Sequence, residues 1–207
     1  GAPGFDAGRR AFPIFAKANG VTGVQWTSMD PPLRETMLVR GDIDAITGFS
    51  FTSLLNLEAR GVKVEDIVVL PYATHGVKLY GNVIIASPRL LKDNPGAVKA
   101  FLVAFARGAK EVMANPDAAI DFVKARDGII NVDLEKRRLR MAIDSVVASA
   151  DARAEGFGQV VPGRLALMAS QVSDAFGTKT RVDPAAVWTD AVLPSKTDLN
   201  ILPPARK

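Results

Sequence analysis

Short apolar segments alternate with capped helical segments from the start of the chain to about Tyr80, and this alternation constrains the fold most strongly. Turn residues bound each apolar segment, and Asp6 and Ser50 are candidate N-caps for two of the helices. The strand-like segments are 24–27, 43–47, 67–70 and 81–87. Such an order of short strands and helices favours an α/β fold with a mainly parallel sheet.

The pattern changes near Tyr80, and after Pro88 almost every segment has helical periodicity. The clearest apolar stripe at helical spacing consists of Val98, Phe101, Leu102, Phe105, Ala109 and Val112. We therefore predict two parts, an α/β unit over residues 1–79 and a return strand followed by a largely helical part over residues 80–207.

Several kinds of chemistry are excluded by residue content and by missing motifs. The chain has no cysteine, which excludes disulfides, thiolate metal sites and cysteine nucleophiles. It has one histidine, His75, and it lacks the Gly-x-Ser-x-Gly, Walker A and His-Glu-x-x-His motifs. His75 is interpreted as a loop or surface residue, with ligand contact as the alternative. No catalytic residue and no cofactor are expected.

Charged residues do not indicate a metal or a nucleic acid. Asp42 and Asp44 flank a strand start with no histidine nearby, so we interpret both as solvated and expect no metal site. The net charge of +4 mildly favours an anionic partner. The basic residues of 136–140 follow Asp133 and Glu135 and have no aromatic residues among them, which is typical of a solvated helix face.

Two loops are the candidate binding sites, because each leaves the end of a predicted strand and enters a helix N-terminus. Ligands bind at such places in open α/β sheets, where free backbone N–H groups and the helix dipole are available. The candidate residues are Gly4, Phe5, Asp6, Ala7, Gly8, Thr47, Gly48, Phe49 and Ser50. The alternative interpretation is an ordinary capped helix beside solvated Arg9 and Arg10, and a core Phe49 beside a structural cap.

Four blocks of sequence, taken in their order and spacing, resemble the NMT1/THI5-like family. The blocks are Pro-Gly-Phe-Asp-Ala-Gly-Arg-Arg from Pro3, Asp-Pro-Pro-Leu-Arg-Glu-Thr-Met-Leu-Val-Arg-Gly-Asp-Ile-Asp-Ala-Ile-Thr-Gly-Phe from Asp30, Leu-Tyr-Gly-Asn-Val-Ile-Ile-Ala-Ser-Pro from Leu79, and Asn-Pro-Gly-Ala-Val-Lys-Ala-Phe-Leu from Asn94. The resemblance extends from Gly1 to about Val192. Most members of that family are substrate-binding components of ABC importers, related to receptors for taurine, alkanesulfonates, nitrate and thiamine-precursor pyrimidines.

The resemblance implies a type 2 periplasmic-binding-protein fold, in which two α/β lobes enclose a ligand. Both candidate loops would then be cleft loops of the second lobe, and Tyr80 and Asn82 would lie near the return crossing at the hinge. It also implies a small-molecule solute and an ABC permease as partners, no nucleic acid, and a monomer when complete. The implied location is periplasmic or lipid-anchored on the extracytoplasmic side, with no signal sequence expected in this chain.

The chain departs from the family pattern in two respects. Family members normally carry about a lobe's worth of sequence before the block that opens this chain, so we expect the N-terminal part of the first lobe to be missing and apolar helix stripes to be exposed. The family also includes enzymes that make a thiamine pyrimidine and depend on a cysteine-rich motif. The absence of cysteine argues against that branch. The alternatives to a solute receptor are such an enzyme, or a sensor or remnant without a transport role.

Overall fold

The computed structural model describes residues 1–203, and within that range the protein consists of helices and irregular segments. The α-helices are α1 Ala7–Asn19, α2 Arg34–Arg40, α3 Ser50–Glu58, α4 Pro88–Asp93, α5 Pro95–Ala114, α6 Pro116–Arg126, α7 Val132–Ala142, α8 Ala150–Glu155, α9 Pro162–Phe176, α10 Pro184–Val187 and α11 Lys196–Leu199. Short 3₁₀ turns cover Pro31–Leu33, Val64–Asp66 and Tyr72–Thr74, and a π-helical turn covers Ile143–Val147.

The chain divides into two compact units. The first contains Gly1–Tyr80 and Gly163–Pro184, and the second contains Gly81–Pro162 and the segment from Ala185 onward. The first unit therefore holds both candidate loops together with α9.

The core of the first unit is built around α1. Phe15 is buried, and its ring stacks on that of Tyr72 at a centroid distance of 5.1 Å and on that of Phe12 at 5.7 Å. Val77 packs into the same cluster. The Asp6 carboxylate caps the start of α1, and Gly20 ends it in the left-handed conformation with φ of 65°. These contacts fix the direction in which α1 leaves the first loop.

Helix α9 joins this unit through side chains that bond to the backbone of residues 76–79. The Gln171 amide donates to the Gly76 carbonyl at 2.9 Å and accepts from the Lys78 N–H at 3.1 Å. Arg164 donates to the Leu79 carbonyl at 2.9 Å. Helix side chains thus satisfy backbone groups that would otherwise need a strand partner.

The second unit has a smaller core between α5 and the segment that contains α11. Ala106 is buried against Leu199 and Ile201, with Met113 and Phe157 packed at the edge. The backbone N–H of Phe157 donates to the Leu199 carbonyl at 2.9 Å, which ties the loop after α8 to α11.

The prediction of an α/β fold was wrong, because residues 1–203 contain no strand and no sheet. Around the first loop, only a rudimentary strand pairing exists. The Ala2 N–H donates to the Thr27 carbonyl at 3.1 Å, the Gly1 ammonium donates to the Ala45 carbonyl at 2.7 Å, and the Thr47 N–H donates to the Gly1 carbonyl at 3.4 Å. Pro3 has no backbone N–H, so it cannot donate to a continuation of this pairing.

The other predicted strands also remain irregular, and their apolar side chains lie at the surface. Val68 and Ile85 are exposed, as are Phe101 and Phe105 on one face of α5. The expectation of an exposed apolar stripe on α5 is thus confirmed only in part, because Val98 is buried and the three other members are half-buried (Leu102, Ala109 and Val112). Within the described part of the chain, none of the helices has the length and apolarity that crossing a bilayer would require.

Candidate functional site

The first candidate loop is held by Asp6, whose side chain caps α1. Its Oδ1 accepts the Arg9 N–H at 2.8 Å, as the sequence predicted for an N-cap aspartate. The next residue, Ala7, is the first residue of α1 and is exposed, as is Gly4. The first loop therefore has exposed residues on both sides of the Asp6 carboxylate, which the Arg9 N–H holds in place.

The structure brings the second candidate loop into direct contact with the first. The Thr47 hydroxyl donates to the same Asp6 Oδ1 at 2.7 Å. Gly8 lies at this junction, and a β-carbon added there would come within 3.0 Å of Asp6 Oδ1 and 3.1 Å of the Thr47 β-carbon. A glycine thus lets the two loops approach closely, which is why Asp6 can serve as a cap and as a bridge at once.

A buried ionic network lies against both loops and was not predicted. The Arg34 guanidinium donates to Glu35 Oε1 at 3.0 Å, and the Ser53 hydroxyl donates to the same oxygen at 2.8 Å. Arg34 Nη1 and Asp6 Oδ2 are 3.8 Å apart. A β-carbon on Gly48 would lie 3.0 Å from the Arg34 guanidinium carbon. Arg34 therefore touches a residue of each loop.

The protonation of Glu35 is set by opposing effects. Burial acts to raise the pKa of this carboxyl, but hydrogen bonds from Ser53 and Arg34 outweigh burial and lower the pKa below its ordinary value. Glu35 as a whole residue is only 2% exposed. It is a buried anion stabilised by a paired guanidinium and a hydroxyl.

Two aromatic side chains stand at the surface of the loops. Phe5 is 73% exposed and Phe49 is 53% exposed, so the alternative of a core Phe49 was wrong. The Phe49 ring stacks on Phe51 with a centroid distance of 5.2 Å. Ser50 was predicted to cap α3, but Phe49 occupies the N-cap position and Ser50 is the first helical residue. The start of α3 thus receives no side-chain oxygen from its cap residue.

The arginines beside the first loop are engaged elsewhere. Arg9 donates to Ser28 Oγ at 2.7 Å, and its guanidinium lies 4.9 Å from the Trp26 ring centroid. Arg10 lies over Phe176 at 5.6 Å. Arg9 is therefore half-buried and held by contacts within the fold, whereas Arg10 is exposed, as the interpretation of a solvated arginine predicts.

Tyr72 supports the first loop from inside the core. Its hydroxyl donates to the Gly8 carbonyl at 2.9 Å. Burial, reinforced by the nearby Asp6 carboxylate, raises the pKa of Tyr72 to about 12. The phenol therefore stays protonated and keeps its hydrogen bond well above neutral pH.

The two remaining predicted site residues lie away from the loop junction along the chain. Tyr80 belongs to the first unit, where the Arg164 guanidinium lies 4.3 Å from its ring centroid and its N–H contacts Met168 Sδ at 3.3 Å. Asn82 belongs to the second unit and is exposed in an irregular segment. A ligand role for either residue stays a prediction.

The histidine and the acidic pair have structural surroundings. His75 Nδ1 lies 2.7 Å from the Pro71 carbonyl oxygen, a contact in which the ring nitrogen is the donor, and the ring packs 5.6 Å from that of Phe15. Asp42 and Asp44 are both exposed, and Arg40 pairs with Asp42 at 3.2 Å. Among residues 1–203 no group of acidic and histidine side chains is arranged to hold a metal ion.

An open groove of about 560 Å³ also lies in the first unit, away from the candidate loops. Residues of α1, α9 and the turn at Gly76 line it, including Lys17 and Gln171. Both ends of the Gln171 amide already bond to backbone groups, and Asp174, which also lines the groove, pairs with Arg181 at 2.6 Å.

Sequence reasoning missed Arg34, Glu35, Ser53 and Tyr72 because their roles depend on contacts distant in the chain. One signal was available for Glu35, which lies three residues before Leu38 and hence on the same side of α2. A carboxylate that is buried on such a helix side is almost always paired, and the arginine next to it in the sequence is a candidate partner.

These features define a protein whose two helix-entering loops are joined through one carboxylate. A family model described as NMT1/THI5 like matches residues 1–119, more than half of the chain, and the chain therefore belongs to the NMT1/THI5-like family. This family includes substrate-binding proteins of ABC transporters and enzymes of thiamine synthesis. Comparisons with curated proteins and with solved structures gave no match.

Proposed function

We propose that this chain binds a small organic solute at the joined loops, as part of the solute receptor of an ABC importer. The observation that carries the proposal is the hydrogen bond of 2.7 Å between Thr47 and Asp6, which unites the two loops that sequence reasoning selected independently. Family membership supports the same proposal, because substrate-binding proteins are one of the two kinds of protein in the family.

The surface chemistry of the loops favours a solute with a flat apolar part. Phe5 and Phe49 expose aromatic faces that can stack on a ring. Asp6 supplies a carboxylate for a hydrogen-bond donor, and the start of α3 supplies backbone N–H groups at the positive end of a helix dipole. Such a surface can orient a ring that carries both a donor and an acceptor.

The receptor role is better supported than the pyrimidine-synthesising role. The chain has no cysteine for the motif on which the enzymes of the family depend. Its single histidine is held at Nδ1 by a backbone carbonyl and packs against the core, which favours a structural role. We therefore propose that the protein is not an enzyme, that it works on the extracytoplasmic side of a membrane, and that its partners are the solute and a permease rather than a nucleic acid.

A thermal-shift screen tests this function. The chain is heated with aromatic acids, sulfonates, pyrimidines and flavins, each well above the expected dissociation constant. A ligand at about a hundred times its dissociation constant adds about 2.7 kcal/mol to the unfolding free energy. For a domain of this size, that corresponds to a rise in Tm of roughly 5–10 °C.

The control uses matched phenylalanine substitutions. The double variant Phe5→Ala/Phe49→Ala should lose the shift, because both stacking faces are removed. Phe122→Ala should retain it, since Phe122 is 80% exposed and lies on α6 in the second unit. The proposal fails if no solute raises Tm, or if the double variant responds as the unaltered chain does.

A further inference from the structure

We propose that Arg34 is the positioning residue of the candidate site, and that it sets the spacing between the two loops. The inference rests on the proposed function for its biological meaning, but its geometry is independent of any ligand. Arg34 Nη1 lies 3.8 Å from Asp6 Oδ2 in the first loop, and a β-carbon on Gly48 in the second loop would come within 3.0 Å of Arg34 Cζ. Ser53 also lies close to Gly48, but Arg34 is the member of the network that lies close to a residue of each loop.

The guanidinium is held in place by two polar groups. Glu35 Oε1 accepts from Arg34 Nη2 at 3.0 Å and from Nε at 3.3 Å. Ser53 on α3 donates to the same oxygen at 2.8 Å, and its hydroxyl lies 3.3 Å from Arg34 Nη2. Because the anchors come from α2 and α3, the position of the guanidinium depends on both helices rather than on one flexible stem.

The shape of the side chain matters as much as its charge. A guanidinium is planar and presents several N–H groups in a fixed fork, whereas an ammonium is a compact point charge on a flexible stem. At this site, the fork directs Nε and Nη2 toward Glu35 and leaves Nη1 nearest to Asp6 and Gly48. A lysine could pair with one carboxylate but could not support both loops at the same time.

Close packing at Gly48 makes this support directional. A β-carbon at that position would lie 2.6 Å from Ser53 Oγ, 3.0 Å from Arg34 Cζ and 3.1 Å from Nη1, so the second loop packs closely against both Ser53 and the guanidinium. Arg34 itself is 11% exposed. A site held by such a buried support is organised before the ligand arrives, which lowers the entropic cost of binding.

The experiment measures the spacing between the loops without a ligand. The chain has no cysteine, so Phe5→Cys/Phe49→Cys provides two unique positions for nitroxide labels at exposed sites. Dipolar electron paramagnetic resonance then gives the distribution of distances between the labels. We expect one narrow distribution in the labelled parent and a distribution at least twice as wide after Arg34→Lys.

Two further variants separate positioning from stability. Ser53→Ala removes one anchor of the network with little change in volume, and it should broaden the distribution in the same direction. Leu55→Ala deletes a fully buried side chain on α3 and lowers stability without altering an Arg34 partner, so the distribution should stay narrow below Tm. Arg40→Lys, which alters an exposed pair on the same helix, should leave the distribution and Tm unchanged.

The proposal is overturned if Arg34→Lys and Ser53→Ala keep the parental width, or if Leu55→Ala broadens it equally. Should Arg34→Lys fail to fold, Ser53→Ala alone decides between the two results. The outcome does not depend on the solute screen. A narrow parent that widens with Arg34→Lys, together with an unresponsive screen, would retain the positioning role and reject the solute-binding function.

Discussion

The bond between the two loops can be measured by a double-mutant cycle on Asp6 and Thr47. Asp6→Ala removes the N-cap of α1 together with the acceptor of the Thr47 hydroxyl. Thr47→Val keeps the volume of the side chain and removes only the hydroxyl. Asp6 Oδ1 accepts two hydrogen bonds, one from the Arg9 N–H and one from the Thr47 hydroxyl. The cycle separates the energy of the Thr47 bond from that of the helix cap.

The magnitudes follow from the two bonds. Loss of an N-cap costs about 1 kcal/mol. A hydrogen bond from a hydroxyl to a partly buried carboxylate contributes roughly 1–2 kcal/mol. We therefore expect the unfolding free energy to fall by about 2–3 kcal/mol in Asp6→Ala and by about 1–2 kcal/mol in Thr47→Val. The double variant should lose little more than Asp6→Ala alone, which gives a coupling energy of about 1–2 kcal/mol.

The assay is urea unfolding followed by tryptophan fluorescence. It is carried out in a Trp188→Phe background so that the signal comes from the first unit. That change leaves Trp26 as the sole tryptophan, and Trp26 packs edge-to-face on Phe12 at 5.2 Å within the first unit. The fluorescence therefore reports on the unit that contains both loops. Additive effects, with a coupling energy below about 0.3 kcal/mol, would refute the bridge and the joined site built on it.

Three other predictions test the surroundings of the loops. Tyr72 has a pKa of about 12 against an ordinary 10.0, so the unfolded state loses its proton first and the unfolding free energy should fall by up to about 1.4 kcal/mol per pH unit as pH rises from 10 to 12. Tyr72→Phe should remove that slope in alkaline urea titrations and the matching tyrosinate absorbance step at 295 nm; persistence of both would contradict the assignment. Glu35 has a lowered pKa, so its contribution is complete above the ordinary value of 4.5 and is lost as pH falls through the lowered pKa, and Glu35→Gln should flatten the acid limb of a stability-against-pH curve. An equally steep limb in that variant would assign acid unfolding to other carboxyls. Gly48→Ala should cost about 1–3 kcal/mol in thermal unfolding because the new methyl group would collide with buried polar atoms, whereas Gly4→Ala, which has open space, should change stability by less than about 0.5 kcal/mol; equal effects at the two glycines would contradict the packing.

The loops could be predicted from sequence because their determinants are local. An aspartate before a helical segment predicts a cap, and the bond from Asp6 to the Arg9 N–H confirms it. The end of α1 was equally readable from Gly20. At the second loop the same reasoning misplaced the cap by one residue: it chose serine for its capping oxygen, but the extended residue before the helix is Phe49.

The absence of a sheet could not be predicted from the apolar segments themselves, because a segment forms a strand only where another strand pairs with it. The segments 67–70 and 81–87 have strand-like composition, but in the described structure their backbones find no neighbouring strand and Val68 and Ile85 remain exposed. Apolar composition indicates that a segment tends to be buried, but it does not identify the element against which the segment packs. Where residues 76–79 do find partners, these are Gln171 and Arg164 of α9, more than eighty positions away.

The buried network likewise depends on residues that are distant in the sequence, and it supports the loops from beneath. Glu35 and Ser53 are eighteen positions apart, and Asp6 and Thr47 are forty-one apart, so neither pair is visible as a motif. In the folded chain, Glu35 Oε1 accepts from Ser53 and so links α2 to α3. Asp6 Oδ1 accepts from Thr47 and so links the start of α1 to the second loop. The loops carry the exposed aromatic side chains, and the network beneath them sets the spacing between the loops. Binding should therefore be more sensitive to a buried change at Arg34 than to a change at exposed Arg40 on the same helix, although neither side chain would touch the solute.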